Sequence, residues 1–128
     1  MKGKEIALYH PRAWVYARGD SGSPVLQDRL DELGRIAQMQ GYEIVGQSSD
    51  ARHRLLPRHP GRAGLLRAVR RGQVDDVFVT RLSQLSRKAG RLRRILRLLH
   101  RKRVRLHTTE SDLRYDLYLH GLDSILTR

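Results

Sequence analysis

Val15-Tyr16-Ala17-Arg18-Gly19-Asp20-Ser21 is the stretch on which the reading of this chain turns. With Ala13 and Trp14 ahead of it, the run Ala13–Ala17 is β-branched, aromatic or small, and Pro11 bounds it upstream. That composition predicts a first core strand. The strand ends in an arginine and leads into Gly19–Ser23, read as a polar loop. An α/β fold gathers its chemistry at such a place, at the carboxyl end of a strand with a helix following.

The helix is announced by Ser23-Pro24, a cap residue followed by proline at the first helical position. Leu26, Leu30, Leu33 and Ile36 or Ala37 recur at helical spacing, and Gly41 ends the pattern. Tyr42–Val45 reads as a second strand, and Gly46–Gly61 as a polar, basic loop without periodicity. Ala63–Arg71 is a short basic helix closed by Gly72, and Val74–Thr80 is a third, central strand entered through a solvated Asp75-Asp76. Arg81–Arg87 forms a second polar crossing. A helix over about Lys88–Arg101 turns Leu92, Ile95, Leu96 and Leu99 inward, followed by a strand at Val104–Thr108 and an amphipathic helix over Leu113–Leu126. The alternation of strand and helix predicts an α/β fold with a mostly parallel central sheet of 4–5 strands covered by helices, Ile6–Tyr9 being the candidate extra edge strand.

All 128 residues suit one domain, with no repeat and no dividing linker. No apolar run reaches the ~18 residues of a membrane span, and no signal peptide is recognisable at Met1–Ile6. Cysteine is absent, which excludes disulfides and thiolate chemistry and fits a cytoplasmic protein. The six histidines lack paired ligand spacing, so no metal or other cofactor is expected. The net charge is +13, and its distribution is uneven. Residues 51–105 carry 18 Arg or Lys against Asp75 and Asp76, whereas the other 73 residues carry 8 basic and 11 acidic side chains. A segregated positive charge of this size points to a polyanionic partner, DNA first, bound electrostatically and with little sequence preference.

Several stretches together resemble one family. Tyr16-Ala17-Arg18 after the first strand, Gln27 and Leu30, Gly41–Val45, Gly61–Leu65 and Val77–Arg87 are similar, in order and spacing over residues 13–112, to the landmarks of the resolvase/invertase (serine recombinase) catalytic domain. The resemblance implies that family's fold and DNA cleavage through a serine that forms a phosphoseryl link, without a metal. It also implies that Arg18, Arg62 and Arg87 match arginines around the scissile phosphate, with Lys88 and Arg91 following in the basic helix. Guanidinium groups suit that task because their planar fork pairs with phosphate oxygens.

Three positions depart from the pattern. Asp20 stands at the nucleophile position, Ser83 at the acidic position of the later motif, and Gln84 at the arginine beside it. A carboxylate repels the phosphate it would have to attack, and an acyl phosphate would hydrolyse readily. Ser21, one residue on, is the alternative nucleophile. Three readings follow: a catalytically inactive resolvase-like domain that binds DNA or a recombinase partner; an active recombinase using Ser21; and a protein-interaction module, with Leu113–Leu126 offering a homodimer or heteromer surface. No helix-turn-helix domain is expected after residue 128.

Overall fold

The computed structural model describes residues 10–20, 24–52 and 59–110. Four strands form one parallel sheet: β1 (Arg12–Asp20), β2 (Glu43–Arg52), β3 (Asp76–Val79) and β4 (Arg105–Thr108), in the order β2–β1–β3–β4. Three helices connect them: α1 (Pro24–Met39), α2 (Pro60–Arg70) and α3 (Ala89–Arg101). Because β1 lies between β2 and β3, the chain steps to one side after β1 and to the other after β2. Parallel crossovers are right-handed, so opposite steps put their helices on opposite faces of the sheet. α1 accordingly covers one face; α2 and α3 cover the other.

The strands divide their side chains by the period of two. Ala13, Val15, Ala17 and Phe78 pack under Leu30, Leu33 and Ala37 of α1. Tyr16, Val77 and Val79 point to the opposite face, against Leu65 and Val69 of α2 and Leu92, Ile95, Leu96 and Leu99 of α3. The apolar positions that the sequence assigned inward in these helices are the ones buried or packed at the core edge.

All three helices end alike. Beyond α1, Tyr42 N–H reaches Ala37 C=O while Gly41 N–H reaches Gln38 C=O, with Gly41 at φ +91. α2 repeats the pattern through Gly72 at φ +70 and Gln73. α3 does so through Arg103 at φ 57, a non-glycine in the left-handed region. No helix among the described residues is long and apolar enough to cross a membrane.

Three expectations need correction. β2 continues to Arg52, so the first part of the expected Gly46–Gly61 loop is strand. Its polar Gln47, Ser48 and Ser49 hide the pattern, and their backbone is held by pairing with β1 from Gln47↔Val15 to Ser49↔Ala17. Gly19 and Asp20 likewise belong to β1, paired with Ala51 and Arg52, rather than to a loop. Asp75-Asp76 is not a solvated entry. Asp75 binds Arg12 at 3.1 Å, and Asp76 is fully buried against Arg105 at 3.0 Å, His107 at 2.6 Å and the Tyr42 hydroxyl at 2.8 Å. The candidate edge strand Ile6–Tyr9 and the candidate helix Leu113–Leu126 lie outside the described residues.

Candidate functional site

The strand order reverses between β1 and β3, so the chains leaving their carboxyl ends diverge and open a crevice there. Arg18 lies on the β1 side of it; Thr80 and the turn Leu82–Gln84 lie on the β3 side. β1 pairs with β3 only from Ala13 to Val15, which leaves the later part of β1 without that neighbour. The Gln84 side chain fills the gap. Its Oε1 accepts the Arg18 backbone N–H at 2.6 Å. An arginine has no acceptor atom and could not make this bond. Gln84 therefore has a structural task of its own: it fixes the strand segment that carries Arg18.

Arg62 is set by a second network. Asp50, on β2 opposite Arg18, is 2% exposed. Its carboxylate accepts the Tyr16 hydroxyl at 2.6 Å, the Gly61 N–H at 2.7 Å and the Arg62 N–H at 2.8 Å. The last two are free donors of the first turn of α2, which has no side-chain cap from His59. A carboxylate delivered by the neighbouring strand thus caps the helix and lies at its positive end. The approach is close: a Cβ on Gly61 would come within 2.4 Å of the Ser49 carbonyl oxygen. Held this way, Arg62 is buried and donates through Nη1 to the Leu85 carbonyl at 2.8 Å. Burial, and the neighbouring Arg91 and Arg18 guanidiniums, lower its pKa from the ordinary arginine value. Burial and the bond to Asp50 push the Tyr16 phenol up, so it stays a donor.

Two clefts share Arg18 and Arg87. One, of about 380 Å³, is also lined by Gly19, Leu26, Arg29, Ser83 and Gln84, with Arg81 and Glu110 paired at 2.8 Å on its rim. The other, of about 280 Å³, is lined by Arg18, His59, Arg62, Ser86, Arg87, Lys88 and Arg91. No acidic side chain is among these. Ser86 is buried, and its Oγ accepts the Lys88 N–H at 3.1 Å, which shapes the turn into α3.

Folding therefore brings together Arg18, Arg62, Arg87, Lys88 and Arg91, drawn from β1, α2, the turn before α3 and the first turn of α3. Ser83 and Gln84 stand at the neighbouring cleft. Asp20 closes β1 on the same edge; Ser21 lies outside the described residues. Asp50 and His59 were not picked out from the sequence. Asp50 sat in a segment read as loop, and its only sequence signal was a lone acid ahead of a basic run.

A parallel α/β sheet with an arginine-lined crevice at its switch point is the class that fold and site define. The family described as "Resolvase, N terminal domain" matches residues 13–120, and the chain belongs to it. Solved structures agree in fold. The C-terminal catalytic domain of ISC1926 TnpA, an IS607-like serine recombinase, superposes with a TM-score of 0.70 at 24% identity, covering 87% of this chain and 79% of its own. A resolvase family site-specific recombinase from Streptococcus pneumoniae gives 0.70 at 21%, covering 90% and 85%. The N-terminal catalytic domain of TP901-1 integrase gives 0.68 at 17%, covering 89% and 92%. No curated protein matches the chain.

Proposed function

We propose that this resolvase-family domain binds the DNA backbone non-covalently through Arg18, Arg62, Arg87, Lys88 and Arg91 and does not cleave it. The observation that carries the reading is the cleft these side chains share, which has five cationic groups and no acidic lining among the described residues. Asp20 at the nucleophile position supports the loss of cleavage, because an anion there opposes attack on phosphorus. Gln84 supports it further, since an amide engaged by the Arg18 backbone supplies no positive charge to a transition state.

Binding to duplex DNA is expected to weaken steeply with salt, with log K falling by about 0.9 per phosphate contact for each decade of salt, and to differ little between sequences. Salt-insensitive binding, or none at low salt, defeats the reading. Incubation with supercoiled DNA followed by denaturing electrophoresis is expected to give no covalent protein–DNA adduct. An adduct abolished by Ser21→Ala and retained in Asp20→Ala would instead establish Ser21 as the nucleophile.

A further inference from the structure

We propose that His59 is a ligand of the phosphate subsite formed by Arg18, Arg62, Arg87, Lys88 and Arg91, and that this histidine takes up a proton when a phosphate group of a polynucleotide backbone occupies the cleft. The inference rests on the backbone-binding reading above and adds to it a titratable ligand.

His59 immediately precedes α2 and lines the same cleft as the five cationic groups. Its Nδ1 is enclosed by protein and has no hydrogen-bond partner among the described residues. An enclosed polar atom without a partner is unfavourable, and such atoms are uncommon unless a ligand or water completes them. Asp50, a carboxylate that acts on the ring, does not complete it. Asp50, facing from β2, is already engaged by Tyr16, Gly61 and Arg62.

Among the described residues, the other charged groups lining the cavities beside the ring are positive: Arg62, Arg67 and Arg70 on α2, Arg18 on β1, Arg87 and Lys88 in the turn before α3, and Arg91 in its first turn. Burial, then the Arg62 and Arg18 guanidiniums, hold the imidazole below its usual pKa, with Asp50 opposing and Arg91 adding to the effect. In the empty cleft the ring is therefore neutral at neutral pH. A phosphate lodged between the guanidiniums reverses the local field. It offsets the positive charges that disfavour a proton on His59 and accepts a hydrogen bond from a protonated ring, in which both nitrogens donate. The pKa of the bound state then exceeds that of the free state. Between the two values binding takes up a proton, so affinity increases as pH falls through that window, by about tenfold for each unit separating them.

The test is fluorescence anisotropy of a short labelled DNA duplex with the full chain at constant ionic strength, between about pH 5.5 and pH 8. Wild type is expected to bind several-fold more tightly at the acid end. His59→Gln is expected to lose the acid gain, its affinity varying little between the two ends, while His100→Gln, exposed on α3 away from this cleft, keeps it. A wild-type profile flat with pH, or an unchanged slope in His59→Gln, overturns the inference and leaves backbone binding standing. Failure of wild type to bind the duplex at any pH overturns both. Histidine NMR titration of wild type gives a readout independent of the variants' folding: the His59 pKa must rise when duplex is added, and no rise refutes the proposal. Inorganic phosphate separates the sources. A rise with phosphate alone means the subsite takes any phosphate group, and a rise with duplex only ties it to the polynucleotide backbone.

Discussion

Replacing Asp50 with asparagine should be among the most damaging conservative changes in this protein. The carboxylate accepts three hydrogen bonds, from Tyr16 and Arg62 on one oxygen and Gly61 on the other. Asparagine has a single acceptor oxygen, so in its better orientation it keeps Tyr16 and Arg62 and turns an amide N–H₂ toward the Gly61 N–H. Each retained bond weakens from charge-assisted to neutral, a loss of about 1 kcal/mol, and the stranded donor adds about 1–2 kcal/mol. The negative charge at the positive end of α2 also disappears. The sum is about 3–4 kcal/mol, which for a domain of this length lowers Tm by roughly 10 °C. Urea and thermal unfolding followed by circular dichroism measure it, with exposed Asp28→Asn as the control for simple loss of a charge. A loss under about 1 kcal/mol, or one equal to that of the control, would refute the argument that a strand carboxylate caps α2. Because the same oxygen holds the Arg62 backbone, Asp50→Asn should also weaken DNA binding beyond its effect on the folded fraction.

Gln84→Leu keeps the volume and removes the acceptor for the Arg18 N–H. It should cost about 1–2 kcal/mol in urea unfolding and faster amide exchange at Arg18, with protection at Ala13–Val15 unchanged because β3 still pairs there. Arg103→Gly relieves the only left-handed non-glycine among the described residues and should raise stability by about 0.5–1 kcal/mol, provided the exposed Arg103 side chain contributes nothing else. Thermal melts check it, and a lower Tm would contradict the strain assigned to that position.

Much of the architecture was written locally. The alternation of strands and helices, the inward stripes of α1 and α3, and the glycine stops at Gly41 and Gly72 follow from side-chain period and from residues that tolerate positive φ. The succession of motifs across residues 13–112 carried the family. What could not be read locally depends on partners far along the chain. β2 runs on through Gln47–Arg52 because β1 pairs with its backbone, a constraint that leaves no mark on polar side chains. Asp76 is buried by Tyr42, 34 residues before it, and by Arg105 and His107, about thirty after.

The site divides in the same way. Sequence alone determined that Tyr16-Ala17-Arg18 lies in a core strand and that the positive charge is concentrated in residues 51–105, and it set the expectation that Asp20, Ser83 and Gln84 depart from the recombinase pattern. Only the tertiary structure decided that Gln84 clamps the Arg18 backbone, that Asp50 caps α2 and fixes Arg62, and that His59 joins the arginine cleft. The physical reason is reach. Propensity and periodicity act over a few residues, whereas these contacts span from 11 to 66 and exist only once the strands have paired.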